Sequence, residues 1–525
     1  MHLSIIRKFS AFCALYLFPA TAWAADEGSA IPAWLENIAP ILILLAVVGF
    51  VLSRLPNVEG VDHSKEFRKR RVMNWLPLGL TYAFLYMGRY NLKVSKFKFE
   101  EMQDPMGGAL MGNDDFGVIF LVGVWVYGCS FLINGPLTDK YGGRLAILVG
   151  AGGSCLMNLM MGLATIWLTG DTALGVFIAE NFTLVFSILY GMNMYFQSFG
   201  AVAIVKCNAP WFHVRERGVF GAIFGILISL GIYFAFDWGY LILNSLGIAW
   251  VFLMPTVLLA IFWVVDYFIV KNTPGEAGHD DFDTADASSG DDGPQLGAKA
   301  VFTLMMKNPV ILTIAGIEFC SGFLRQAIMQ WYRTFAKQTD GVLGFGDGSF
   351  VYDNWGLLLC CAGIMGGVIA GVISDHVFQS RRGPVAGVLY GAMLVGGIAL
   401  CFLYQTPYVG WLVIFMSMAV IGVHGMLSGT ASMDFGGKKN VGIAVGIIDG
   451  FVYLGTGVMS LAYSILLPKE QFDTTGALTG PVTDPNNWLA WPVAMVPFAL
   501  IGLLLSFRVW NAKPKGKGKA AAAEA

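Results

Sequence analysis

The 525-residue chain is 56% hydrophobic and 13% charged, with mean hydropathy +0.64 and a formal net charge of −2. Soluble domains carry about 25% charged residues, so this balance excludes an ordinary soluble globular protein. No basic stripe interleaved with aromatics points to nucleic acid; of the eight cysteines, Cys13 falls in the expected leader and the other seven, without zinc-ligand spacing, read as small packing residues.

In chain order, Arg7 and Lys8 precede an apolar run from Phe9 to Ala20 and the small-x-small site Ala22-Trp23-Ala24, which predicts a signal peptide over 1–24. An uncleaved anchor helix is the alternative reading. An extra N-terminal transmembrane helix is expected at 38–55, followed by a basic stretch containing Lys65, Arg68, Lys69, Arg70 and Arg71. A spanning helix needs about 20 apolar residues. Twelve more spans are predicted, at 74–95, 116–136, 144–167, 175–206, 217–243, 248–271, 308–333, 352–374, 384–404, 410–432, 441–466 and 488–508. Lys140, Arg144, Arg215, Arg217, Arg381, Arg382, Lys438, Lys439 and the tail from Lys513 fall on the same side as the basic stretch. The positive-inside rule makes that side, and the C-terminus, cytoplasmic. Lys93, Lys96, Lys98 and Lys337 run against the rule and are outnumbered.

The longest polar interruption, rich in Asp, Ser and Gly, has the composition of a disordered linker. It divides the chain into an N-terminal half at 74–272, a linker at 273–304, a C-terminal half at 305–510 and a tail at 511–525. Arg89 and Arg325 both lie inside apolar spans, 236 positions apart, and the same offset carries Gly135 onto Gly371, Thr138 onto Ser374 and Asp139 onto Asp375. A charge at bilayer depth costs from ~2.5 to over 10 kcal/mol. Two buried cations that keep their protons imply a site for an anion between duplicated halves.

Gly135-Pro-Leu-Thr-Asp139-Lys140-Tyr-Gly142-Gly143-Arg144 resembles the cytoplasmic loop motif of the major facilitator superfamily. The expected fold is therefore an all-α polytopic membrane protein with twelve helices in two pseudo-symmetric sets of six. Asp139, Lys140, Arg144 and the echo Asp375 are candidate gating residues, with Asp139 capping a helix or pairing with a base across the halves. An ordinary solvated turn is the bland alternative.

A narrower resemblance, over about 74–510, is to the organophosphate:phosphate antiporter family. It rests on Tyr82-Ala-Phe-Leu-Tyr86-Met-Gly-Arg89-Tyr-Asn91, Trp211-Phe-His-Val-Arg215-Glu216-Arg217-Gly218, Asn272-Thr273-Pro274-Gly275, Phe323-Leu-Arg325, and Lys438-Lys439 with Tyr453-Leu-Gly455. The resemblance implies that Arg89 and Arg325 grip a substrate phosphate, with Tyr82, Tyr86, Tyr127 and Tyr453 around it. Each tyrosine reads equally as packing. Lys93, one turn past Arg89, either extends the positive path or snorkels to the interface. The family's pocket histidine and lysine fall on Ile228 and Phe131. Glu318, His424 and Asp449 stand within spans instead, as proton-coupling candidates or as a structural triad.

The implied protein is a monomeric carrier in a bacterial inner membrane, exchanging a phosphorylated small-molecule anion for inorganic phosphate. A sugar-phosphate sensor and a proton-coupled organic-anion symporter are the alternatives. No enzyme motif, cofactor or metal is expected.

Overall fold

The computed structural model describes residues 64–512, apart from 104, 106–107, 171, 214–216, 285–297, 379–380 and 473–477. The expected signal peptide, the helix at 38–55 and the lysine-rich tail lie outside the described residues.

Helix α1 (Lys65–Glu100) starts where the Ser64 side chain accepts the Phe67 N–H at 3.1 Å, with Glu66 in its first turn. Helices α2 (Asn113–Tyr141) and α3 (Gly143–Leu168) are parted by Gly142 alone, whose φ of +89° glycine adopts without strain. Asn272 Oδ1 accepts the Arg144 N–H at 2.9 Å and satisfies a free donor at the start of α3. Then come α4 (Phe182–Asn208), α5 (Arg217–Tyr233, continued by a π-helical turn and Gly239–Leu246) and α6 (Ile248–Ile269).

Helix α7 (Pro309–Gln338) opens with proline in its first turn and Asn308 accepting the Val310 N–H at 2.9 Å. It is followed by α8 (Trp355–Val372), α9 (Arg382–Leu403), α10 (Val409–His424), α11 (Ser432–Leu466) and α12 (Met495–Arg508). π-Helical turns extend α8 over Ile373–Val377 and α10 over Gly425–Ala431. Between α11 and α12 a two-residue hairpin pairs Gln471 with Thr479 and Phe472 with Leu478, antiparallel.

Among the described residues, ten helices are long and apolar enough to cross a membrane, which makes this a multi-pass membrane protein. The charge-bearing α1 and the shorter apolar stretch Trp355–Gly371 of α8 fall outside that set. At the end carrying Gly142, basic side chains hold carbonyls at helix ends: Arg70 donates to Ile269 O at 2.8 Å and Arg71 to Trp211 O at 3.3 Å. Within the segment read as a linker, His279 and Phe282 pack their rings on Phe67, and a helix at Ala298–Met306 sets Val301 and Met305 against Ala444 and Ile447 of α11. The apolar face of that short helix anchors it on α11 where the segment read as a linker ends.

The halves meet through equivalent helices. The second helix of each half packs on the fifth of the other, α2 on α11 and α8 on α5. Gln326, which the 236-residue offset relates to Tyr90, donates to the Tyr90 hydroxyl at 3.1 Å. The α2–α11 contact is backbone on backbone: a Cβ on Gly135 would lie 2.6 Å from Gly442 O, and one on Gly446 2.7 Å from Phe131 O. Small residues permit such approach where lipid supplies no hydrophobic drive. The α7–α11 contact is tighter, with a Cβ on Gly322 falling 1.8 Å from Val452 O and one on Gly455 1.9 Å from Phe319 O. Gly322→Val and Gly455→Val are each expected to cost roughly 3 kcal/mol or more, because backbone must move. A thermal unfolding midpoint in detergent equal to wild type would contradict this packing.

Candidate functional site

Arg89 projects from mid-α1 and is 2% exposed. Its fork is held on three sides: Nε donates to Gln197 Oε1 at 3.1 Å, and the two terminal nitrogens donate to the hydroxyls of Tyr453 at 2.7 Å and Tyr127 at 2.8 Å. The guanidinium lies over the Tyr86 and Tyr127 rings, 4.5 and 4.6 Å from their centres. Tyr127 comes from α2 and Tyr453 from α11, so both halves hold this cation. Tyr82 packs edge-on against Tyr86, and Phe131 stacks on Tyr453. Behind Arg89, Tyr190 donates to its backbone carbonyl at 2.8 Å and Asn193 to Gly88 O at 2.8 Å, fixing the helix at that turn.

Arg325 differs. It is 5% exposed, its Nε is buried without an acceptor, and it makes no hydrogen bond or ion pair among the described residues. Tyr86 lies in the field of both guanidiniums, as does Tyr453. The structure therefore brings the two arginines, Tyr82, Tyr86, Tyr127 and Tyr453 to one place midway between the halves. A planar fork with idle donors, shut away from water, is a strong binder for an oxyanion.

Beside Arg325, Glu318 is fully buried and its Oε2 lies 2.9 Å from His424 Nδ1, while its Oε1 has no partner. Asp449 accepts a short hydrogen bond from Ser428 and stands in the field of His424, Glu318 and Arg325. The three titratable residues thus form one buried group on α7, α10 and α11. Lys93 does not snorkel: it is 2% exposed and donates to the Thr334 hydroxyl of α7 at 2.5 Å.

The loop residues separate. Asp139 receives Lys206 Nζ at 2.6 Å from its own half, and the Gly442 and Ile443 N–H groups of α11 at 3.3 and 3.1 Å. Its tie across the halves is thus to helix N–H groups; the base paired with it belongs to α4. Lys140 lies over the Tyr141 ring, and Arg144 donates to Tyr267 O on α6, so neither bridges the halves. The side chain of Asp375 lies outside the described residues; its neighbour Ser374 accepts from Arg382 at 2.8 Å.

At the opposite end, Lys96 is fully buried between Glu100 at 2.7 Å and Glu470 at 3.4 Å, and Gln338 donates to both carboxylates. Nearby, a 680 Å³ cleft contains Arg333, whose guanidinium is sandwiched 3.8 and 3.9 Å from the Tyr240 and Tyr352 ring centres. Sequence reasoning missed Gln197, Glu100 and Glu470. A glutamine at mid-span was a signal for the first; a lysine out of place at Lys96 was one for its two acids.

The profile of the Major Facilitator Superfamily matches residues 78–460. The chain is 24% identical to the glycerol-3-phosphate transporter of Bacillus subtilis (strain 168) over 478 residues, 87% of this chain and 96% of that protein. It is 21% identical to the membrane sensor protein UhpC of Escherichia coli (strain K12), covering 76% and 86%. A probable hexose phosphate transport protein of Chlamydia pneumoniae is 23% identical, covering 86% and 93%. The crystal structure of a mutant of the nucleoside transporter NupG superposes with a TM-score of 0.54 at 13% identity, over 84% of this chain and 98% of that one, which shows a shared fold. With the profile spanning residues of both helix sets, from α1 into α11, the chain belongs to the major facilitator superfamily.

Proposed function

We propose that this chain is a secondary transporter of phosphorylated small molecules, of the glycerol-3-phosphate or sugar-phosphate type, exchanging them for inorganic phosphate by alternating access. The observation that carries this reading is Arg325, a buried guanidinium with an idle Nε, opposite its duplicate Arg89. The names of the three relatives support the substrate class. In this reading α1–α12 all span, with 38–55 as a further helix, and the chain is a monomer in a bacterial inner membrane. The Gly142 end and the C-terminus face the cytoplasm. The Asp139–α11 tie is then the inner gate, and the Lys96–Glu100–Glu470 group closes the outer end.

Purified protein in phosphate-loaded vesicles, offered labelled glycerol 3-phosphate and hexose 6-phosphate, tests the reading. Uptake that needs internal phosphate is the expected result. Tight binding without flux would instead identify a sensor, the reading favoured by the match to UhpC.

The buried group Glu318, His424 and Asp449 supports proton coupling within this transport. A neutral carboxyl repels a divalent phosphate less than an ionised one, so anion binding favours proton uptake at Asp449. External acidification is therefore expected to raise uptake, and Asp449→Asn or Glu318→Gln to flatten that dependence. Uptake independent of pH in wild type and variants would make the three residues structural.

A further inference from the structure

Lys93 lies one turn beyond Arg89 on the same face of α1, toward the end closed by Lys96. Apart from the Thr334 hydroxyl, its ammonium meets only rings: Nζ is 5.1 Å from the Phe116 centre, 5.7 Å from Phe97 and 6.0 Å from Trp331. Among the described residues no carboxylate pairs with it. The nearest acids are engaged elsewhere, Glu100 and Glu470 by Lys96 and Gln338. Thr334 contributes one acceptor and passes its own proton to Gln330 O at 3.3 Å. Two ammonium protons are thus left facing aromatic surface. Burying an ion is costly, and aromatic faces recover only part of that cost. Lys96, three residues on, shows how a lysine at this depth is neutralised when its work is structural.

We propose that Lys93 Nζ binds a second anionic group on the substrate, a carboxylate, so that the site takes short phosphorylated carboxylic acids. This rests on the phosphate reading of Arg89 and Arg325 and narrows it. Four residues of α1 rise about 6 Å, which separates the two anionic groups by roughly the length of a three-carbon skeleton. The chemistry divides accordingly. Guanidinium forks match a phosphate with several oxygens, and a compact ammonium matches a monoanion. Binding also exchanges a weak neutral partner for a charged one, and the carboxylate would draw on both the N-terminal half, through Lys93, and the C-terminal half, through Thr334.

The test compares two three-carbon esters, 3-phosphoglycerate and glycerol 3-phosphate, which differ in a carboxylate against a hydroxymethyl group. Both are offered to the full-length protein in phosphate-loaded vesicles. Wild type is expected to half-saturate with 3-phosphoglycerate at a concentration at least tenfold lower. Lys93→Gln should bring that ratio within twofold of one, and Lys93→Arg should retain a preference for the carboxylate. Equal half-saturation by wild type overturns the proposal, whether or not the variants fold. So does a Lys93→Gln protein that weakens both esters by the same factor, which would make the Thr334 contact a tie between helices. Failure of phosphate-driven uptake of either ester would instead overturn the phosphate reading itself.

Discussion

Replacing Arg89 or Arg325 by lysine is expected to abolish phosphate-driven uptake while leaving the protein in the membrane. Lysine keeps the charge and loses the fork. Two charge-assisted hydrogen bonds of roughly 1.5–3 kcal/mol each are at stake, which corresponds to about two to four orders of magnitude in transport. The two variants should differ in stability. Arg89→Lys gives up donors to Gln197, Tyr127 and Tyr453 and should lower the thermal midpoint. Arg325→Lys removes no hydrogen bond seen among the described residues and should leave the midpoint near wild type. Transport assays and detergent unfolding scans read the two effects separately. Near-normal uptake by either variant would remove the phosphate clamp.

Asp139→Asn is expected to slow exchange tenfold or more while ligand affinity stays within about twofold. The carboxylate ties Lys206 to the Gly442 and Ile443 N–H groups, far along α2 from Tyr127, where α2 reaches the site. Asparagine keeps the shape, but its amide meets the ammonium without charge, and breaking one partner of such a pair costs up to about 3–5 kcal/mol when buried. The loss falls on the state in which this end is closed, so interconversion suffers and the site does not. Binding measured by thermal shift and exchange measured in vesicles should therefore separate. A parallel fall in both, at normal yield, would sink the gating role.

The positions of the arginines were legible because a guanidinium inside an apolar run has few explanations. A fixed offset was legible because Asp139 and Asp375 repeat the arginines' spacing, and two residues at that same offset, Tyr90 and Gln326, are in hydrogen-bond contact. Tyr127 and Tyr453 came from family resemblance, since tyrosines at helical spacing are otherwise indistinguishable from packing. Gln197 was hidden among Asn134, Asn158 and Asn193, neutral amides in spans that hydrogen-bond to one another or to backbone. The Glu318–His424 pair joins helices 106 positions apart, and that register is set by how α7 and α10 pack. The glycine content was legible as close packing, but which glycines meet, and that Gly322 and Gly455 face carbonyls, depends on helix rotation.

The α2–α11 seam behaves as a bearing. Interlocked leucines would have to leave their rotamer wells together before two helices could part, and each would add to the barrier. Here Gly135 and Gly446 face backbone carbonyls of the opposite helix, Gly442 O and Phe131 O, so over this stretch backbone and not interlocked side chains sets the approach. What holds them is dispersion and weak Cα–H···O contact, which declines smoothly with distance. Directional bonds cross between the halves at the two ends, at Asp139 and at Lys96, and again at the centre, where Arg89 reaches Tyr453 and Gln326 reaches Tyr90. In the proposed alternating-access reading, the seam would guide the motion and the bonds across it would set its populations.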